Sequence, residues 1–192
     1  MIGLLEDLEE DGLLEKAEAG TRVLDLGTGN GHLLFELTEA DWKGELVGVD
    51  YSDTSVQLAR QIATQRHDSN AMQVPRFESW DILNEEPSDW LADGFGVLLD
   101  KGTFDAISLS AETDAQGRRI CETYKERVLP LLRPDGFFII TSCNWTKDEL
   151  LQWFTSAESS LELFKEAKYP TFTFGGQQGQ SVCTLAFRKK PI

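Results

Sequence analysis

Apolar residues fall along this chain in two alternating rhythms. Short unbroken apolar runs give way to stretches in which apolar positions recur every three or four residues, the pattern of buried strands joined by amphipathic helices. Residues 1–19 place Ile2, Leu4, Leu5 and Leu8 at helical spacing among Glu6, Asp7, Glu9, Glu10 and Asp11, which predicts a helix covering one edge. Strands are predicted over 21–26, 45–50, 73–79, 94–100 and 137–142. Helices are predicted over 31–40 and 53–66, the second with Val56, Ala59, Ile62 and Ala63 on one face. A short helix or turn falls at 87–92, and a long surface helix over 113–132 would bury Ile120, Tyr124, Val128 and Leu131 until Arg133-Pro134-Asp135-Gly136 stops it. Thr146, followed three residues on by Glu149, is a capping box opening a helix over 147–154. Two further strands, within 161–174 and 181–187, flank Gly175 to Gly179, a hairpin turn by composition.

The 192 residues, 41% hydrophobic, suffice for one good core, and no repeat, low-complexity segment or linker divides them. No apolar run approaches the roughly 20 residues of a membrane span, and no secretory signal is present, so an intracellular protein away from membranes is expected. Cys121, Cys143 and Cys183 are odd in number and lack CxxC spacing, and His32 and His67 are the only histidines. Neither a disulfide framework nor a metal site is expected, and the cysteines read as buried or half-buried thiols. The net charge of −15 repels phosphate backbones, which sets nucleic acid aside as a substrate and leaves either simple solubility or steering toward a basic protein.

Chemistry concentrates first at Val23-Leu24-Asp25-Leu26-Gly27-Thr28-Gly29-Asn30-Gly31, a strand, a glycine turn and a helix start. Glycines there permit positive φ and close approach of a ligand, so a nucleotide-like ligand is expected. The dinucleotide fingerprint GxGxxG needs a glycine where His32 stands. Asp50 ends the second strand 19 positions after Gly31, where a carboxylate can accept ribose hydroxyls, and Trp80-Asp81 follows the third strand. Three acids at one carboxyl edge of a parallel sheet mark a ligand site of open α/β folds.

The spacing Asp25-x-Gly27-x-Gly29-x-Gly31 resembles the first motif of the S-adenosylmethionine-dependent methyltransferases. Asp100-Lys-Gly-Thr-Phe-Asp-Ala resembles the fourth motif of eukaryotic protein-lysine methyltransferases that modify translation elongation factor 1-alpha. Ser142-Cys-Asn-Trp-Thr-Lys-Asp-Glu-Leu150 and Phe172-Thr-Phe-Gly-Gly176 are similar to one branch, the elongation factor 1-alpha lysine methyltransferase 2 group, over Val23 to Phe187. The resemblance implies an α/β fold, a single Rossmann-like seven-stranded domain whose mostly parallel sheet closes on a C-terminal antiparallel hairpin. It implies S-adenosylmethionine as cofactor, S-adenosylhomocysteine as product, and a monomer acting on elongation factor 1-alpha in the cytoplasm. Asp25, Gly27, Thr28, Gly29, Gly31, Asp50, Tyr51, Trp80, Asp81 and Asp100 are the implied cofactor contacts, with Asp25 near the amino-acid end and Asp81 on the adenine amino group.

For catalysis the resemblance points to Asp100 beside the acceptor nitrogen, stabilising the charge that develops there, and to an aromatic channel drawn from Phe104, Asn144, Trp145 and Phe174. Phe104 and Phe174 fit a core equally well, and Asn144 a turn. Members of the group carry an upstream segment folding over the cofactor, whereas about twenty residues precede the first predicted strand here, as in a truncated chain or a shorter member. A cofactor pocket open along one side is the consequence expected. A small-molecule methyltransferase of the same fold and a non-catalytic binding protein stay open as alternatives.

Overall fold

A computed structural model describes residues 1–17, 20–67, 73–156, 159–169, 172–174, 177–179 and 182–191. Strands β1 (Val23–Leu26), β2 (Leu46–Asp50), β3 (Arg76–Ser79), β4 (Phe95–Lys101), β5 (Leu132–Ser142), β6 (Leu161–Glu166) and β9 (Cys183–Lys189) form one sheet in the order β3-β2-β1-β4-β5-β9-β6. The first five run parallel, and β9 pairs antiparallel with both β5 and β6, which gives the seven-stranded sheet with its closing antiparallel hairpin. β7 (Phe172–Phe174) does not prolong β6. It pairs with β8 (Gln177–Gly179) in a separate ribbon, while Gly175 and Gly176 lie outside the described residues.

The period-two alternation of the strands sends side chains to two cores. On one face, Leu24, Leu26, Val47, Val49, Leu98, Phe138 and Ile140 meet α4 (Thr103–Ser108), α5 (Tyr124–Val128) and α6 (Lys147–Phe154) through Phe104, Tyr124, Val128, Leu150 and Phe154. The other face carries Val23, Val97, Leu99, Phe137 and Ile139 against α1 (Ile2–Glu10), α2 (His32–Glu39) and α3 (Asp53–His67). The first helix is therefore shorter than expected; Leu4, Leu5 and Leu8 join the core that holds Leu34 and Leu37, and Asp7 and Asp11 pair with Lys165 of β6, the edge strand. Each such buried side chain contributes about 1.5–3 kcal/mol, more than intrinsic propensity gives helices this short.

The long helix expected over 113–132 is broken. Asp114 Oδ1 accepts the amides of Gln116 and Arg118, Gly117 takes φ +78°, and Thr113 bridges to Arg119, so a tight loop replaces the first turns. Only Tyr124–Val128 is α-helical, between 3-10 turns at Ile120–Thr123 and Leu129–Leu131, the latter containing Pro130. Three of the four residues of the expected buried face are buried, Tyr124, Val128 and Leu131 being at most 1% exposed, whereas Ile120 is only half-buried and lines a cavity. Arg133 to Gly136 does not separate helix from strand but forms an irregularity inside β5, with Asp135 at φ +62° and the register to β4 shifted. The capping box stands: the Thr146 hydroxyl accepts the Glu149 amide, and the Glu149 carboxylate accepts the Thr146 amide. Cys121 is buried and Cys183 half-buried, but Cys143 is exposed at the end of β5, because the chain turns outward there.

Candidate active site

At the carboxyl edge of β1, β2, β3 and β4 lies a cavity of about 630 Å³, within the range of small-molecule sites. Leu26, Gly27, Val49, Asp50 and Tyr51 form one side, Trp80 to Asn84 another, and Lys101 to Thr103, Ala106 and Ile107 the third, with Ser110, Glu112 and Ile120 at the remaining edge.

The glycine turn is built for close packing more than for a ligand. Gly27, Gly29 and Gly31 all have positive φ. The space a Cβ would need at Gly27 is filled by the Thr103 side chain, whose hydroxyl donates to the Leu26 carbonyl at 2.6 Å, and at Gly31 by the Phe77 ring, 2.6 Å from a Cβ placed there. Only Gly29 faces open space. Gly27 alone of the three lines the cavity.

Asp50 ends β2 with one carboxylate oxygen accepting the Gly29 amide and the other the Ser52 amide, both at 2.9 Å. Each oxygen keeps a second lone pair and the residue lines the cavity, which suits a vicinal diol. Tyr51 stands at the rim, 79% exposed. Trp80 lines the cavity and packs edge-on against Trp90 at 5.1 Å, with its buried Nε1 lacking a hydrogen-bond partner among the described residues. Asp81 lines the cavity too, yet its oxygens accept Leu83 N at 2.9 Å and Asn84 Nδ2 at 2.8 Å, which spends much of its accepting capacity on its own turn.

Asp25 is 3% exposed and lies behind the cavity wall together with buried Thr28, whose Oγ1 has no hydrogen-bond partner among the described residues. Burial pushes the Asp25 carboxyl up to about 7; repulsion from Asp100 and Asp50 adds to this, and the nearby Thr28 hydroxyl and Lys101 offset only part. A carboxyl in that condition gains from a cation placed beside it. The apolar Ile82, Leu83, Ala106 and Ile107 and the diol-competent Asp50 together fit an adenosine.

The acceptor side differs from expectation at two residues. Asp100 is 0% exposed and does not line the cavity. Its carboxyl accepts Thr103 N at 2.9 Å, Phe104 N at 3.1 Å and the Tyr124 hydroxyl at 2.5 Å. It closes the turn from β4 into α4 and anchors Tyr124, with its carboxyl turned to these donors. Burial raises it to about 7 despite these three donors. Phe104, 1% exposed, is the centre of an aromatic core with Tyr124, Trp145, Trp153 and Phe154 at ring distances of 5.2–6.0 Å, not part of a channel. Trp145 is half-buried against it and Asn144 is exposed, both in the turn after β5. The Phe174 side chain lies outside the described residues.

Sequence reading missed the wall made by Thr103, Ala106 and Ile107. Their i, i+3, i+4 spacing on α4 was the available signal. Ser110 and Glu112 also line the cavity, and the 113–119 loop, which no local periodicity announces, returns Ile120 beside Glu112.

Residues 17–184 match a family described as a methyltransferase domain. A protein-lysine N-methyltransferase named EFM4 from Saccharomyces cerevisiae is 44% identical over 168 residues, covering 88% of this chain and 70% of that protein. A Homo sapiens protein named EEF1A lysine methyltransferase 2 is 40% identical over 167 residues, 87% of this chain and 65% of its own length. Among solved structures, an S-adenosylmethionine-dependent methyltransferase from Clostridium acetobutylicum superposes with a TM-score of 0.69 over 97% of this chain and 89% of its own, at 13% identity, a likeness of fold alone. Matched across most of its length, the chain belongs to the methyltransferase-domain family, in the group of S-adenosylmethionine-dependent protein-lysine N-methyltransferases.

Proposed function

We propose that this chain, acting as one methyltransferase domain over residues 1–192, methylates a lysine of translation elongation factor 1-alpha as a cytoplasmic monomer. The observation that carries this reading is the 40% identity, over 87% of the chain, to a protein named for methylating that factor. The net charge of −15 supports it, since it favours a basic protein acceptor over nucleic acid.

When bound, S-adenosylmethionine supplies an electrophilic methyl on a sulfonium sulfur. Asp50 is assigned to the ribose hydroxyls and Asp25, with Thr28 beside it, to the amino-acid end. Tyr51, Trp80, Asp81, Ile82 and Ile107 are assigned to the ring, on the ground that all five line the cavity. The acceptor is placed on the β5 side of α4, near Asn144 and Trp145, because β5 is the next strand along the same carboxyl edge. A free lysine is neutral at pH 7 only at a cost of about 4 kcal/mol, and an apolar wall such as Trp145 lowers that cost by desolvating the ammonium.

A labelled-methyl assay against purified elongation factor 1-alpha, a panel of other basic proteins and small amines tests this directly. Label on a lysine of the factor is expected. Label on free amines in its place would make the chain a small-molecule enzyme, and cofactor binding without transfer would make it a binding protein.

A further inference from the structure

Helix α4 has two sides with different duties. Thr103, Ala106 and Ile107 line the cavity, whereas Asp105 and Ser108 face the turn that follows β5. That turn is held from within. Asp105 Oδ1 accepts the Ser142 hydroxyl at 2.5 Å, and Oδ2 accepts the Cys143 amide at 2.8 Å. Ser142 Oγ in turn accepts the amides of Asn144 at 3.1 Å and Trp145 at 2.9 Å. The Trp145 indole closes the ring by donating to Ser108 Oγ at 3.2 Å, and Ser108 Oγ donates to the Asp105 carbonyl at 2.8 Å. Three successive amides therefore point inward at one buried carboxylate–hydroxyl pair, Asp105 being 9% and Ser142 1% exposed, while Cys143 and Asn144 are turned out to solvent.

So dense a network on so short a turn is more than β5 needs to end. A turn at the rim of an open sheet can end on water-bonded amides, yet here the Cys143 amide is committed to Asp105 on a cavity-lining helix, and those of Asn144 and Trp145 to the Ser142 hydroxyl that Asp105 holds. We infer that Asp105 is a positioning residue for methyl transfer: through Ser142 and the Cys143 amide it fixes the turn carrying Asn144 and Trp145, and so sets where the acceptor lysine stands relative to the cofactor cavity. This rests on the proposed function. In a two-substrate transfer the reacting atoms must be aligned to within a fraction of an ångström, and a misplacement of about 1 Å costs about 100-fold.

Asp105→Asn keeps one accepting oxygen and loses the other, and Ser142→Ala removes the acceptor for Asn144 and Trp145 while leaving the Asp105 to Cys143 bond. Both variants of the full chain are compared with the parent in three measurements: S-adenosylhomocysteine affinity by calorimetry, kcat and KM on elongation factor 1-alpha at saturating donor, and the urea unfolding midpoint. The expected result is S-adenosylhomocysteine affinity within about twofold of the parent and kcat lowered about 10- to 100-fold in each variant. The double variant should be no slower than the worse single one, since both act on one turn. Parental kcat in a folded Ser142→Ala chain overturns the inference, even if Asp105→Asn does not fold. So does cofactor affinity falling in step with kcat, which is the mark of a purely structural role. A parent that transfers no methyl to the factor overturns the proposed function and this inference together; an active parent with undiminished variants overturns this inference alone.

Discussion

Two turns at the carboxyl edge of the sheet begin alike and end differently. Asp50 closes β2 and Asp100 sits near the end of β4, each with its carboxyl bonded to backbone amides nearby. Asp50 takes one amide on each oxygen and still borders the cavity. Asp100 takes two amides and the Tyr124 hydroxyl and is sealed at 0% exposure. What separates them is the cover: α5 brings Tyr124 over the second turn, and among the described residues no side-chain hydrogen bond closes the first. An acid near a strand's carboxyl end thus borders the cavity at β2 and is sealed at β4.

The comparison breaks most sharply at Asp100. Asp100→Ala leaves two buried amides and a buried phenol without an acceptor and is expected to cost about 2–4 kcal/mol of stability, read as a lowered urea midpoint. Full stability would mean that these bonds are dispensable. Asp50→Ala should instead act on the ligand, losing about 1.5–3 kcal/mol of S-adenosylhomocysteine affinity, or roughly 10- to 150-fold by calorimetry. Unchanged affinity would move Asp50 out of the site, and preferential binding of a nicotinamide dinucleotide would overturn the assignment of the cavity.

A pH series sharpens the comparison further. Burial raises Asp25 and Asp100 to about 7 from an ordinary 3.8. Between these values the folded chain holds protons that the unfolded chain has released, so these two groups make stability fall as pH rises through that window, with the fall complete above the folded value. Asp89, Asp93, Asp114 and Glu149 are shifted downward, and their contribution is lost only on the acid side of the same window. Asp25→Asn mimics the protonated acid and should remove about half of the loss between pH 5 and pH 8. An unaltered slope would show that Asp25 is ionised throughout. The smallest effect is that of salt: added salt should slow capture of the basic acceptor while leaving single-turnover transfer in a preformed complex nearly unchanged, since screening acts beyond about 8 Å at physiological ionic strength.

Much of this was legible in the chain itself. The strand runs, the helix at 53–66 and the Thr146–Glu149 box are local signals, and each appears close to where its pattern puts it. Asp50 was legible because its spacing from the glycine turn is set by one strand-helix-strand unit. That Asp100 is sealed was not legible, because Tyr124 reaches it from 24 residues away. Nor was the packing at Gly27, which makes room for Thr103, whose bond to Leu26 spans 77 residues. The broken helix over 113–132 failed where the Asp114 side chain competes with the backbone for its own amides, which hydrophobic period does not register. Phe104, read as channel or core with equal reason, is decided by four aromatic neighbours contributed by three other parts of the chain.

The division of labour between the two acids is tested most directly by donor saturation of the Asp50→Ala chain, with methyl transfer to elongation factor 1-alpha as the readout. If Asp50 serves donor binding and little else, raising S-adenosylmethionine should return kcat to within about threefold of the parent while the donor KM stays roughly 10- to 150-fold higher. A kcat that remains low at saturation, with donor KM unchanged, would contradict the account.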